Sequence, residues 1–503
     1  MSIINESHQK IQPRPKNGIL LLDVLLLSLI VFYVVAGISW VPFHGDESAY
    51  LILSEDYDRV VKKHDLGKVL FSEEGGDKQN LRLTTGGILA FTVGFMRDIT
   101  HNDDPIQKWL WGSSWEENLA QGNMPTPRLL NLARTCSAVM GAAGIVLFYF
   151  LALNLFSSRP AAWVATLAFV TQGSVLMSIR RAMQEGPKFL FLILTVYMAS
   201  FILKDLQNSK MRWSWYFLLG ISSGLTLAAK QDTAPMLVAV YLALALFPFW
   251  KRAALWTIFV NILNLGAATL LAYAFFLVFM PVFWGWWESS LALMGVAVIL
   301  FQLPRITKTR NAKWFVSAGL ALTVGMTAIS PALWNSLHTP LVRMLELREG
   351  LMGAQMVSSS GQNVFNADTF TNRLPFLLEN TVSSQVMYME TASFDVPPFH
   401  EQIAAYEESW LSGRTGSLLV DGLVLVLALI GGWSLLRRWI PEGLFVHTLL
   451  LVTGGMLFYM IPLSWQRYFL IMQIPYLLFA GAGAGWVWDR VARTSQDVRA
   501  RAD

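Results

Sequence analysis

Stretches of roughly 17–25 apolar residues, the length one helix needs to cross a bilayer, recur from one end of this chain to the other. In hydrocarbon each backbone amide must be satisfied inside its own segment, so such runs are read as helices. They fall at about 19–41, 129–156, 161–179, 187–204, 213–229, 234–250, 253–281, 287–303, 314–336, 415–436, 443–462 and 468–488. The reading is an all-α polytopic membrane protein of about 12 transmembrane helices. Of 503 residues, 54% are hydrophobic and 14% charged, whereas soluble domains carry about a quarter charged residues. That little polar surface cannot cover a soluble globule of this length. The net charge of +4 holds cytoplasmic loops inside, and no nucleic-acid partner is expected. The single cysteine, Cys136, excludes an internal disulfide and a cysteine-based metal site, and reads as an inert buried thiol.

Charge placement sets the topology. The first run, Ile19 to Val41, exceeds the roughly 7–15 residues of a signal-peptide core and reads as a retained signal anchor. With the N-terminus inside, the inward segments hold Lys10, Arg14 and Lys16, then Arg159, Lys204, Lys210, Arg212, Lys251 and Arg252. Later inward segments hold Arg305, Lys308, Arg310, Lys313, Arg437, Arg438 and the tail residues Arg490 and Arg493. This is the positive-inside pattern. The expected organisation is a cytoplasmic tail at 1–18, a transmembrane core at 19–336 with an outer loop at 42–127, a second outer loop at 337–414, C-terminal spans at 415–488 and a cytoplasmic tail at 489–503. A multi-pass protein of the cell (cytoplasmic/inner) membrane follows, with its working face outside. The runs 213–229 and 234–250 are separated only by Lys230-Gln231-Asp232, and fusing them would change the parity. In the first outer loop, Leu81 to Phe95 is too short and glycine-rich to span and is expected to lie in the interface as an amphipathic helix. The segment 337–414 is long enough to cover a site on the acceptor side.

Two groups of residues carry chemistry. Directly after the first span comes His44-Gly45-Asp46-Glu47-Ser48, an adjacent carboxylate pair suited to a general base with its partner, or to one corner of a metal site. The ordinary alternative is a solvated loop. The outer turns also hold cations where topology does not ask for them: Arg180 and Arg181 with Glu185 and Lys188, then Lys230, then Arg467-Tyr468. Charges near membrane depth face a cavity or a partner, and several arginines and lysines on one face suit a lipid phosphate. For any one of them, snorkelling to headgroups is the plain alternative.

The order of these features resembles the GT-C superfamily of polyprenyl-phosphate-sugar-dependent glycosyltransferases, on the branch with protein O-mannosyltransferases and the aminoarabinose transferase. The resemblance rests on the Asp46-Glu47 pair, the juxtamembrane stretch Arg82 to Phe95, the span Arg134 to Phe156, the Lys230-bearing stretch Gly220 to Ala234, and Arg467-Tyr468 leading to Pro475. It implies a GT-C-like fold and inverting transfer of a sugar from a lipid-phosphate donor to a saccharide, lipid or protein acceptor at the outer face. It implies Asp46 as base, with Glu47 orienting it, binding the sugar or holding a cation. Arg82, Arg180, Arg181, Glu185, Lys230, Arg467 and Tyr468 would line the phosphate and sugar site. No cofactor is expected, and a metal at Asp46-Glu47 with His44 is possible in principle but not favoured. A secondary transporter needs mid-membrane charges and two related halves, and the halves of this chain look unlike. A non-catalytic lipid-binding protein and another lipid-linked transferase stay open as alternatives.

Overall fold

The run that opens at Pro127 illustrates how the sequence frames its helices. The Thr126 hydroxyl accepts the Leu129 amide at 3.3 Å, Pro127 takes the first turn, and Ser157 stops the helix with φ 51°. A capping oxygen, a proline whose missing amide has no partner to lose, and a left-handed residue at the end account for both boundaries. The structure, a computed structural model, describes residues 17–72, 74–306, 342–351, 353, 370–388, 394–438, 440–461, 463 and 465–502. Up to residue 306 the helices are α1 (Asn17–Ala36), α2 (Gly45–Tyr57), α3 (Asp77–Thr84), α4 (Ile88–Ile99), α5 (Trp115–Ala120), α6 (Pro127–Phe156), α7 (Arg159–Val170), α8 (Gly173–Arg180), α9 (Glu185–Gln207), α10 (Trp213–Ala229), α11 (Ala234–Trp250), α12 (Leu255–Phe279) and α13 (Trp287–Ile306). Beyond them lie Phe370–Val382, Pro397–Glu408, Leu418–Arg438, Pro441–Met460 and Gln473–Ala502. Among the described residues no strand forms, and Gln172 and Arg414 meet in an isolated bridge.

Seven helices among the described residues are long and apolar enough to cross a membrane, and shorter apolar helices lie at Leu20–Ala36, Arg159–Val170 and Leu293–Gln302. The all-α multi-pass architecture is as expected. The expected run 314–336, most of the tail 1–18 and the middle of 337–414 lie outside the described residues. The expected third span, 161–179, is two helices, α7 and α8, broken at Thr171-Gln172. The break is held from outside the run: the Arg414 amide donates to Thr171 O at 2.6 Å, the Gly173 amide to Arg414 O at 2.9 Å, and the Gln172 amide side chain to Ser383 O at 2.8 Å. Apolar composition alone does not reveal a tertiary partner for a freed backbone group. The stretch 81–95 is likewise two elements, α3 and α4, parted at Thr85-Gly86-Gly87. The runs at 213–229 and 234–250 are separate helices on either side of Lys230 and the turn Gln231–Thr233. The expected tail at 489–503 continues the last helix to Ala502.

In the bundle α6 packs on α1, α7 and α9, α10 lies between α9 and α12, and Leu418–Arg438 crosses Gln473–Ala502. That last crossing is close. A Cβ on Gly431 would stand 1.9 Å from Phe479 O, and one on Gly483 1.9 Å from Leu427 O. Small residues permit backbone contact between helices that lipid does not drive together. Gly431→Val therefore forces the pair apart, an overpacking cost of about 1–3 kcal/mol. The expected result is a lower thermal unfolding midpoint in detergent, and an unchanged midpoint would contradict the close crossing. Asp23, alone in the apolar run of α1, is not stranded: Arg159 lies 2.9 Å from it and the Trp163 indole N–H donates to it at 3.1 Å. This matches the rule that charges in such runs find partners.

Candidate functional site

The site is assembled where α2 meets the ends of α8, α9, α10 and the final helical segment. His44 caps α2: its Nδ1 accepts the Asp46 amide at 3.2 Å, while the His44 amide donates to Glu47 Oε2 at 3.0 Å. This reciprocal capping box fixes the first turn and sends the two neighbouring carboxylates to different partners. Gly45 is required there, since a Cβ would meet the rings of Trp109 and Trp111 at 2.6 and 2.8 Å. Phe394 stacks on His44 with ring centres 5.9 Å apart, and the Phe43 amide donates to Gln402 Oε1 at 3.1 Å. Part of the second long loop therefore seats the α2 turn.

Glu47 is fully buried and saturated. Arg134 grips it in two bonds of 2.8 Å each, and the Ala182 amide donates to Oε1 at 2.7 Å. Burial alone would push its carboxyl up, but Arg134 and the Ala182 amide hold it below the usual carboxylate range. Of the roles that the resemblance implied for Glu47, holding a cation is the one this geometry matches. Arg134 also donates to Val41 O at 2.8 Å and Ile38 O at 3.0 Å, tying the end of α1 to α6.

Asp46 faces the other way. Its Oδ2 accepts Arg467 Nη1 at 2.6 Å, and His44 Nδ1 lies 3.8 Å away. Burial works to raise this carboxyl, and Arg467, His44 and Lys230 overcome it and hold it below its ordinary value. Behind this pair lies a second layer. Lys230 pairs closely with Glu185 and lies 3.5 Å from Asp232. Lys188 reaches Asp232 at 3.3 Å and donates to Arg467 O at 3.2 Å. Burial would lower the Lys230 ammonium, but the Glu185 and Asp232 carboxylates raise it, so it stays charged. The Lys230 ammonium sits 5.8 Å from the Tyr468 ring centre, and the Arg467 guanidinium 5.7 Å from the same ring and 4.9 Å from that of Trp465. Side-chain exposure grades outward from 0% at Lys188 and 1% at Glu185 to 14% at Lys230, 13% at Arg467 and 29% at Asp46. A buried ionic floor thus supports an open face made of one carboxylate and two cations.

Gly86 completes the wall. A Cβ there would stand 1.9 Å from Ala229 O, and the Gln184 side chain donates to Gly86 O, so the α3–α4 break rests against the C-terminus of α10 beside Lys230. Arg348, in the helical residues 342–350, donates to Thr84 O at 3.2 Å and to Gln231.

Of the residues singled out from the sequence, the structure brings Asp46, Glu185, Lys230, Arg467 and Tyr468 together. Arg181 joins them at the edge, lining a narrow pocket with Glu185 and Arg467 while donating to Pro42 O at 3.4 Å. Arg82 is elsewhere: it makes two bonds, of 2.6 and 2.7 Å, to buried Asp56. Arg180 is a buried strut that donates to Val34 O at 2.8 Å, Tyr33 O at 2.6 Å and the Tyr406 hydroxyl at 3.2 Å. Three residues escaped the candidate set, Arg134, Asp232 and Arg348, and Lys188, noted among the outer cations, was given no place in the phosphate and sugar site. Asp232 had a weak signal, lying two residues after Lys230. Arg348 carried none. Among the described residues no three His, Cys, Asp or Glu side chains are grouped as a metal would require.

Residues 110–294 match the family model described as dolichyl-phosphate-mannose-protein mannosyltransferase, a stretch that includes Glu185, Lys188, Lys230 and Asp232. No curated protein matches. Among solved structures, the archaeal oligosaccharyltransferase AglB from Archaeoglobus fulgidus, in complex with an inhibitory peptide and a dolichol-phosphate, superposes with a TM-score of 0.50 at 12% identity over 96% of this chain. The resemblance to the GT-C superfamily holds at the level of fold. This chain spans 52% of the length of AglB. ArnT from Cupriavidus metallidurans bound to undecaprenyl phosphate (TM-score 0.33, 13% identity, 94% of this chain and 78% of that one) also matches. So does the Pmt1-Pmt2 protein O-mannosyltransferase complex of S. cerevisiae bound to the sugar donor (TM-score 0.35, 15% identity, 53% of this chain and 34% of that one).

Proposed function

We propose that this chain is a membrane glycosyltransferase that moves a sugar from a polyprenyl-phosphate donor to an acceptor hydroxyl at the outer face, with inversion and with Asp46 as general base. The observation that carries the reading is the 2.6 Å pair between Asp46 and Arg467 on the open edge of the ionic cluster. The family model that matches concerns a dolichyl-phosphate-mannose donor, and the oligosaccharyltransferase of the same fold holds a dolichol-phosphate. Charge supports the same ligand. Lys230, Arg467 and Arg348, with Arg181 at the edge, gather around Asp46, Glu185 and Asp232, and such a convergence of cations suits an anionic ligand.

Arg467 has two claimants in this mechanism. While paired with Asp46 it keeps that carboxylate ionised but poorly basic. A donor phosphate draws it away, and burial then raises the basicity of Asp46 toward the range in which a carboxylate removes a proton effectively. The acceptor oxygen attacks the anomeric carbon as Asp46 takes its proton. The bond from that carbon to the phosphate oxygen breaks, and the electron pair leaves with the phosphate, whose charge Lys230 and Arg467 receive without rearrangement. Glu47 and Arg134 hold the α2 turn in place. Because these cations supply the electrophilic assistance, we propose that transfer needs no cofactor or metal. Both termini would be cytoplasmic, in line with the distribution of basic loops.

The direct test is release of polyprenyl phosphate from a labelled polyprenyl-phosphate sugar by the purified protein. A lipid-binding subunit or transporter would return the donor intact. Arg467→Ala is expected to weaken donor use and to move the acid limb of the pH profile for kcat/KM upward. With the guanidinium gone, burial is opposed only by His44 and Lys230, so the Asp46 pKa rises and activity is lost at a higher pH as the medium is acidified. A profile that stays put would remove Arg467 from control of the base.

A further inference from the structure

The second long loop contains a cleft that the transfer site does not use. It has a volume of about 780 Å³ and lies between Phe370–Val382, residues 383–388 and Pro397–Glu408, with Glu379, Gln385, Tyr388 and Glu407 in its walls. Its floor joins the reaction site, because Met387 and Gln466 line both this cleft and the narrow pocket of Arg181, Glu185 and Arg467. That junction is fixed: Gln466 Oε1 accepts the Met387 amide at 3.0 Å, and its Nε2 donates to Gln385 O at 2.6 Å. Arg467, one residue on, holds Asp46. A molecule lying in the cleft therefore ends beside Gln466, one residue from the arginine that pairs with Asp46.

The cleft has a sign. No lysine or arginine is among its lining residues, while Glu379 and Glu407 are exposed on two opposing helices. Across residues 370–388 and 394–416 there are five carboxylates (Glu379, Asp395, Glu401, Glu407, Glu408) and two arginines (Arg373, Arg414), a net charge of −3. Asp395 is taken by His400 at 2.9 Å, Arg414 by Asp421 at 2.9 Å, and Arg373 donates to Tyr459 O at 2.7 Å. The two arginines are thus turned to other partners, and the uncompensated charge on the walls is negative. The donor face a few residues away has the opposite excess, so the two halves of the site sort their ligands by charge.

Resting on the transferase reading, we infer that this cleft is the acceptor site, and that it selects hydroxyl acceptors carrying positive or no charge while rejecting anionic ones. A volume of this order is that of a typical ligand site of roughly 300–1,000 Å³, enough for an extended acceptor rather than a single small alcohol. The negative walls repel an anionic acceptor during approach and draw in a cationic one.

Two variants test this in the full chain. Gln385 is an exposed side chain in the wall, and Gln385→Trp fills the cleft without touching the ionic cluster. In membranes that carry the native donors and acceptors, it is expected to lower sugar transfer at least about tenfold, because acceptor binding is blocked. Hydrolysis of the donor by water, measured on purified protein, should stay within about twofold, because that reaction needs no acceptor. If both reactions fall together, or neither falls, the cleft is not the acceptor site. The second variant is Glu379→Gln combined with Glu407→Gln. In neutral detergent, tetralysine should inhibit transfer by the wild type at least about tenfold more strongly than transfer by the double variant, and tetraglutamate should inhibit neither. Equal inhibition of both proteins by tetralysine, or inhibition by tetraglutamate, overturns the charge assignment. Failure of the wild type to release any polyprenyl phosphate would instead overturn the transferase reading, and the acceptor assignment with it.

Discussion

Asp46→Asn is expected to lower sugar transfer by about 10²–10⁴-fold, the usual contribution of a positioned general base, while the protein folds and still takes up its lipid donor. The substitution preserves shape, and the Asp46 backbone amide that caps on His44 is unaffected. What disappears is the capacity to accept a proton. Arg467 also loses its ionic partner and becomes available to a phosphate, so donor affinity should hold or increase. Measuring transfer and donor binding on the same preparation separates the two effects. Turnover equal to the wild type would remove Asp46 as base. Loss of donor binding together with turnover would make it a binding residue.

The second large effect concerns Glu47 and Arg134, and it falls on stability rather than chemistry. Arg134→Ala leaves a fully buried carboxylate with two backbone amides and only the less intimate charge of Arg181. Breaking a buried ion pair by removing one partner costs about 3–5 kcal/mol. Arg134→Ala should therefore collapse the yield of monodisperse protein and sharply lower its unfolding midpoint, whereas Glu47→Gln, which removes the charge and keeps an acceptor oxygen for one of the two amides, should lose less. The sign with pH follows from the depressed Glu47 pKa. Such a group contributes stability that is present at neutral pH and lost as the pH falls through its folded value. Acidification should thus narrow the gap between wild type and Arg134→Ala. A gap independent of pH, or an Arg134→Ala protein as stable as the wild type, would contradict the assignment of Glu47 as a structural anion. Asp46 and Glu47 are adjacent in sequence and opposite in role, because the first turn of α2 points one at the open cluster and the other into the α6 interface.

Much of the fold was legible because lipid imposes a simple rule: an apolar run of sufficient length is a helix. Runs such as 129–156, 187–204 and 443–462 reappear within a few residues as Pro127–Phe156, Glu185–Gln207 and Pro441–Met460. The rule fails where a distant segment supplies hydrogen bonds. At Thr171-Gln172 and at Gly86-Gly87 the helix breaks are held by Arg414 and by the end of α10, and although a glycine pair marks a turn, no local pattern announces the partner of either. The site was legible in part for the same reason. Asp46, Lys230 and Arg467 are charges at the ends of apolar runs, where an ionisable group is conspicuous. Arg82 and Arg180 are equally conspicuous, yet they serve Asp56 and the Tyr33–Val34 backbone, because being charged near the membrane requires a partner without saying which. Arg348 lies in a polar stretch where one more arginine carries no signal.

The sequence by itself therefore determined the class of molecule, the placement of most helices and the end of the bundle at which charge gathers. Each of these follows from local hydropathy and is decided within one helix length. Tertiary structure alone decided which carboxylate is buried and which is open, which cations converge, and that residues of the second loop form an acidic cleft beside them. Those are matters of which side chains meet across hundreds of residues, as Asp46 meets Arg467. An ion pair's role depends on burial and on its other neighbours, and neither is a property of the local chain.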